Sequence, residues 1–266
     1  MQDLKVTIIQ TGITWENIDE NLEMFGEKLS LVEDKTDIIV LPEMFNTGFT
    51  MRSRRDAQLG RPSLAEKMGG KTMQWMKNAA GEKNCVIAGS LIIVENGHYY
   101  NRLIWMRKDG SYEYYDKRHL FRMMDEHKHF SSGDKKIVVE LNGWRICPLV
   151  CYDLRFPVWS RNKEDYDCLI YIANWPEARR SAWSALLHAR AIENQVYVIG
   201  VNRIGNDGNY IAFSGDSAVI DPKGLVISKT QPYQENIETV SLSYDDLDDF
   251  RKKFPVGLDG DEFEVR

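Results

Sequence analysis

Three polar residues stand at the ends of apolar, strand-like runs, where sites are commonly built. Glu43 follows Ile38-Ile-Val-Leu-Pro42, Lys117 follows a tyrosine-rich run ending at Tyr115-Asp116, and Cys151 follows Trp144–Val150. A carboxylate directly after a buried strand is costly unless it is paired or useful. A thiol is mostly protonated at neutral pH, so it needs a base or a neighbouring cation to become nucleophilic. Glu43 supplies a base that takes the thiol proton and returns it to a leaving amine. Lys117 and the Tyr152 N–H supply donors for the developing oxyanion, and water then attacks the thioester with help from Glu43. Together these groups meet the needs of amide hydrolysis. Taken singly they are weaker: Lys117 reads as a snorkelling edge lysine, Glu43 as a helix-start or loop charge, and Cys151 as one more buried cysteine. His98, His119, His127, His129 and His188 carry no Cys–His family pattern, although spacing alone leaves a papain-like pairing open.

The elements that must position these residues alternate between strand and helix. Leu4–Gln10 and Asp37–Leu41 read as buried strands. Between them, Trp15, Ile18, Leu22, Phe25, Leu29 and Val32 mark one face of a helix with Thr14 as its N-cap. A weaker helical pattern spans Leu64–Ala80, interrupted by Gly69-Gly70. Strands are predicted at Val86–Val94, Tyr99–Arg107 and Tyr112–Tyr115, joined by Glu95-Asn-Gly-His98 and Lys108-Asp-Gly-Ser111. Asn142-Gly143 turns a hairpin between Lys136–Leu141 and Trp144–Val150. Asp167–Ala173, Val196–Val201 and Ile237–Leu242 are further strands, and Asp221-Pro-Lys-Gly224 turns one more hairpin. Ala178–Asn194 is a helix with Ala182, Leu186, Ala189 and Ile192 facing inward. No linker, repeat or low-complexity tract interrupts the 266 residues, so residues 1–266 are expected to form a single domain of helices layered on sheet. Periodicity leaves strand order and the number of sheets open.

With 40 acidic against 34 basic residues, the net charge of −6 offers no attraction for nucleic acid or anionic lipid. The basic clusters Arg52–Arg55, Lys117–Arg118 and Arg179–Arg180 are short and isolated. No apolar run approaches the ~20 residues of a membrane span, and no signal-peptide pattern opens the chain. Cys85, Cys147 and Cys168 lie in apolar runs and read as free buried thiols, which fits the cytosol. Cys147 and Cys151 are spaced C-x₃-C, but no second ligand pair follows, so no metal is expected. Neither a dinucleotide-binding nor a P-loop glycine pattern occurs, and no cofactor is expected.

Leu41-Pro-Glu43, Asp116-Lys117-Arg-His-Leu-Phe and Val150-Cys151-Tyr-Asp-Leu-Arg-Phe-Pro157 resemble, in that order, the three signature segments of the nitrilase superfamily of carbon–nitrogen hydrolases. The resemblance runs over essentially the whole chain. It implies an α/β fold, a four-layer α-β-β-α sandwich, with dimers or higher homo-oligomers formed through the helices. It also implies the Glu–Lys–Cys roles reached above. Many members add a second glutamate after the lysine, which orients it; Glu126 is the candidate here, with Asp125 its rival.

Asp116–His127 and Ala173-Asn-Trp-Pro176 most resemble the bacterial omega-amidase branch. Its substrates are the ω-amides of short 2-oxo dicarboxylic acids, such as 2-oxoglutaramate and 2-oxosuccinamate. These carry a carboxylate far from the scissile amide, so the pocket needs a fixed cation. Arg155 is the candidate clamp, with a structural salt bridge as the alternative. Trp175, Phe45 and Tyr152 are candidate pocket walls. The competing readings are a superfamily member acting on a nitrile, an N-carbamoyl compound or another amide, and a non-catalytic binding module that kept the fold.

Overall fold

The structure, a computed structural model, describes residues 1–33, 35–54, 62–163 and 166–265. Among these, the strands in chain order are β1 (Leu4–Gln10), β2 (Ile38–Val40), β3 (Val86–Glu95), β4 (His98–Met106), β5 (Tyr112–Asp116), β6 (Val139–Leu141), β7 (Trp144–Val150), β8 (Cys168–Ala173), β9 (Tyr197–Asn202), β10 (Ile204–Asn206), β11 (Ala212–Ser214), β12 (Ala218–Ile220) and β13 (Asn236–Leu242). The helices are α1 (Ile18–Ser30), α2 (Lys71–Lys83), α3 (Glu126–His129), α4 (Pro157–Ser160), α5 (Arg180–Asn194) and α6 (Tyr244–Lys253). One sheet runs β13-β1-β2-β3-β4-β5 and a second runs β12-β9-β8-β7-β6. Within them β1-β2-β3 and β7-β8-β9 are parallel, and the other pairings are antiparallel.

The period-two alternation of a strand explains the layering. On β2, Ile38 and Val40 join the core shared with β7, β8 and β9, whereas Ile39 faces Phe25 of α1 and Met76 of α2. On the far side of the second sheet, Trp183, Leu187 and Ala191 of α5 complete the packing. The result is the α-β-β-α sandwich that the signature segments implied.

Hairpin chemistry was readable in advance. Asn96-Gly97 and Asn142-Gly143 both take positive φ, as a two-residue turn between twisted strands requires. Three expectations shift. The N-cap of α1 is Asn17, whose side chain accepts from the Glu20 N–H, while Thr14 donates its hydroxyl to the Glu20 carboxylate instead. The helix read at Leu64–Ala80 starts only at Lys71, because the Gly69-Gly70 pair ends an irregular stretch and Glu66 accepts the Thr72 N–H. The buried face of α5 is rotated from the predicted one: Trp183 and Leu187 point in, Ala182 and Leu186 are half-buried, and Ile192 is 55% exposed. The indole sets that face, since a Cβ at Gly200 of β9 would lie 2.9 Å from Trp183 and 2.5 Å from Leu187.

The short basic clusters do not form a free patch. Arg52 pairs with Glu16 at 2.7 Å, Arg118 lies over Trp159, and Arg180 pairs with Asp216 at 2.6 Å. Arg55 falls outside the described residues. Among the described residues no helix is long and apolar enough to cross a membrane.

Candidate active site

The parallel strands β2, β7 and β8 bring their C-terminal ends to one place, and the chain leaving each of them delivers a polar group there. After β2, the bend at Pro42 places Glu43 fully out of solvent. Its Oε1 accepts from Asn101 Nδ2 at 2.7 Å and from Lys117 Nζ at 3.0 Å. Its Oε2 accepts the backbone N–H of Asn174, just beyond β8, at 2.8 Å. Lys117 follows β5, and its Nζ also donates to both carboxylate oxygens of Glu126 at 3.0 Å. Glu126 opens α3 and is fixed by the Phe121 N–H at 2.5 Å. Its rival Asp125 faces outward and pairs with Lys128. The structure therefore brings Glu43, Lys117, Glu126 and Cys151 together from four separate stretches of chain.

Cys151 begins the turn after β7 with φ 44°, in the left-handed region. A non-glycine residue there stores about 1–3 kcal/mol of strain, which must be held by its surroundings. Asp153 does much of the holding. It accepts from the Val150 N–H at 3.1 Å, the Tyr115 hydroxyl at 2.8 Å, and the His119 backbone N–H and ring Nδ1 at 3.0 and 2.7 Å. His119 is thereby committed to Asp153 and stacked on Phe156 at 3.7 Å. The turn carrying the thiol is thus tied to the segment carrying the lysine.

Electrostatics follow from burial and from two carboxylates sharing one ammonium. Burial disfavours the Lys117 charge, but Glu126 and Glu43 outweigh it and hold its pKa above the ordinary lysine value. Glu126 is pushed up by burial more than Lys117 pulls it down. The Cys151 thiol is pushed well above its usual range, first by burial and then by the Glu43 charge, with Lys117 opposing. A resting neutral thiol results. Moving its proton to Glu43 leaves the net charge of the cluster unchanged, so a thiolate forms there without adding a buried charge.

The cleft above this cluster is lined by Lys117, Cys151, Tyr152, Arg155, Asn174 and Trp175, together with Phe49, Phe121, Met124, Arg179, Asp207, Ile211 and Phe213. Arg155 lies over the Trp175 ring at 5.0 Å and Arg179 over the Phe121 ring at 5.3 Å. Neither guanidinium has an ion-pair partner among the described residues, so Arg155 is not the structural salt bridge considered as its alternative. Phe45 is a correction. It is fully buried against Phe25 and Trp75 on the helix side of the first sheet, with ring centroids at 5.3 and 5.7 Å. The positive φ of Met44 turns the chain there, and Phe49 takes the wall position, 5.0 Å from Lys117 Nζ.

Sequence reasoning also passed over Asn101, Asn174 and Arg179. Asn174 had a usable signal, being a polar residue directly after a buried strand, as Glu43 and Cys151 are. Asn101 had none, since it lies inside β4. Among the described residues no three His, Cys, Asp or Glu side chains are grouped to hold a metal ion.

Comparison with known proteins agrees with this geometry. Residues 5–252 match the family model of the carbon-nitrogen hydrolases. The chain is 45% identical to the omega-amidase YafV of Escherichia coli K12 over 265 residues, covering all of both proteins. It is 33% identical to the 2-oxoglutaramate amidase of Bacillus subtilis 168, covering 94% of this chain and 95% of that one. Among solved structures it is similar to XC1258 of Xanthomonas campestris, a CN-hydrolase superfamily protein with an arsenic adduct in its active site. The TM-score is 0.94, with 40% identity over the full length of both chains. The chain belongs to the carbon–nitrogen hydrolase family and is a hydrolase of carbon–nitrogen bonds other than peptide bonds.

Proposed function

We propose that the protein hydrolyses the terminal amide of short 2-oxo dicarboxylic acid monoamides, 2-oxoglutaramate and 2-oxosuccinamate, to the acid and ammonia. The observation that carries this reading is a buried Glu43–Lys117–Glu126 cluster beside one thiol, under a cleft bearing two arginines without ion-pair partners among the described residues. The omega-amidase and 2-oxoglutaramate amidase relatives support the substrate class.

In this mechanism Cys151 attacks the amide carbon as Glu43 takes the thiol proton, a contribution of about 10²–10⁴ in rate. Lys117 Nζ and the Tyr152 N–H hold the oxyanion; one such donor is worth about 10²–10³. Glu43 passes its proton to the nitrogen, the C–N bond breaks, and ammonia leaves. Water then attacks the thioester with Glu43 again as base, releasing the acid and the thiol. Glu126 holds Lys117 in place throughout. Arg155 and Arg179 hold the distant carboxylate, with Trp175, Tyr152 and Phe49 as walls.

Ammonia release from a panel of candidates tests this. Turnover of the 2-oxo monoamides is expected, with little from nitriles, N-carbamoyl amino acids or neutral amides. Preference for any of those other classes would overturn the substrate assignment. Arg155→Lys should raise KM for the carboxylated substrates more than it lowers activity on a neutral amide, and equal effects would remove the clamp. We further propose a cytosolic homodimer, supported by four free cysteines and by exposed apolar Ile192, Leu225 and Val226 on the α5 side. Sedimentation as a monomer at micromolar concentration would refute the dimer.

A further inference from the structure

Asn174, at the floor of the cleft, carries an acceptor without a donor among the described residues. Asn174 is 4% exposed, lines the cleft, and has its side-chain amide fixed by a simple constraint. The nearby main-chain oxygen of Glu43 can only accept, so Asn174 Nδ2 must face it, at 2.5 Å. Asn174 Oδ1 is thereby turned the other way, where it is buried and finds no hydrogen-bond donor among the described residues. An unmatched carbonyl in such a place is costly unless a ligand supplies the donor.

The position of Asn174 says which donor. Its backbone N–H is 2.8 Å from Glu43 Oε2, so the residue abuts the carboxylate that must deliver a proton to the departing nitrogen. That nitrogen brings N–H groups into a space that solvent barely reaches. The other floor acceptors are already engaged: Glu43 Oε1 by Asn101 and Lys117, Glu43 Oε2 by the Asn174 N–H, and Glu126 by Lys117 and the Phe121 N–H. Asn101 also has an unmatched Oδ1, but Asn101 does not line the cleft.

We infer that Asn174 Oδ1 accepts a hydrogen bond from the nitrogen of the scissile amide and keeps it as that nitrogen departs, which makes Asn174 a catalytic residue selective for nitrogen leaving groups. This rests on the amide-hydrolase reading above. As the tetrahedral intermediate collapses, the C–N electron pair moves to nitrogen and Glu43 donates the proton. The nitrogen's own N–H, turned toward Oδ1, stays bonded while ammonia forms. An ester oxygen in the same place carries no N–H and faces Oδ1 lone pair to lone pair.

The test compares the ω-amide of a 2-oxo dicarboxylic acid with the ω-methyl ester of the same acid, or its ω-methyl thioester if the ester is slow. Wild type, Asn174→Ala and Asn174→Ser are each assayed on both. Asn174→Ala should lower the amide-to-ester ratio of kcat/KM by about 10- to 100-fold, whatever loss the two substrates share through Glu43. Asn174→Ser, with a shorter acceptor, should fall between. Because both substrates report on the same sample, the amide-to-ester ratio is independent of how much variant is folded. An unchanged or higher ratio in both variants would mean that Asn174 acts only by holding Glu43, and the inference would be lost. Absence of amide turnover in the wild type would instead overturn the amide-hydrolase reading.

Discussion

The two ends of the parallel strands β7 and β8 hold buried charge in opposite ways. At the C-terminal end, two carboxylates share one ammonium at 3.0 Å, the side chains are closed to solvent, and two amide oxygens nearby lack donors among the described residues. At the N-terminal end, Asp167 directly before β8 is saturated. It accepts from the Arg145 N–H, Nε and Nη2 at 3.0, 3.2 and 3.0 Å and from Arg251 Nη1 at 2.8 Å. Burial alone would raise the Asp167 carboxyl, but the bonds from Arg145 and Arg251 more than offset it and hold it below its ordinary value. Its cations also reach solvent, with Arg145 39% and Arg251 24% exposed. A buried charge with cations in excess acts as a staple. One short of cations and bordered by open acceptors is arranged for a substrate.

Substitutions at the two ends should therefore separate activity from stability. The largest effect belongs to Cys151→Ala, expected to lower turnover by more than about 10⁴-fold while the thermal midpoint moves by no more than about 2 °C. Retention of a tenth of the activity would end its assignment as nucleophile. Glu43→Gln should cost about 10²–10⁴-fold in kcat, again with little loss of stability. The resting state of the thiol is tested alongside. With its pKa pushed up, alkylation of Cys151 by iodoacetamide in the free enzyme should keep rising with pH and show no plateau below pH 9. A plateau near neutrality would mean a preformed thiolate.

At the other end, Asp167→Asn should spare kcat and cost about 2 kcal/mol in urea unfolding at pH 7, less than a fully enclosed pair because Arg145 reaches solvent. The sign with pH follows from the lowered carboxyl. Its stabilisation is complete above the unfolded aspartate value of about 3.9 and is lost as pH falls through the lower folded value. The gap between wild type and variant should thus close below about pH 4; a constant gap would remove the charge from the account. The smallest effect is Phe45→Leu, about 1 kcal/mol of stability with KM unchanged, whereas Phe49→Leu should raise KM. A KM change at Phe45 equal to that at Phe49 would return Phe45 to the cleft wall.

Much of this was legible beforehand, because it is written in local chemistry. Strands β1, β7 and β8, the Asn-Gly hairpins, and the polar residues Glu43 and Cys151 at strand ends all follow from neighbouring residues along the chain. The rotated face of α5 was not legible, since Ala182 and Trp183 are both apolar and only packing against Gly200 selects between them. Phe45 failed for a similar reason, as one positive φ at Met44 reverses which side of the sheet an aromatic residue meets.

The sequence by itself determined which groups are available for chemistry: a thiol, a carboxylate and a lysine at element ends, on strands whose alternation commits them to a sheet. Tertiary structure alone decided which of them share a space and with what charge balance. Glu126 reaches Lys117 nine positions away and Asn174 meets Glu43 across 131, while Asp125 turns outward to Lys128. Local propensity carries no information about such distances, because the energy that fixes them comes from burial and hydrogen bonding across the sandwich.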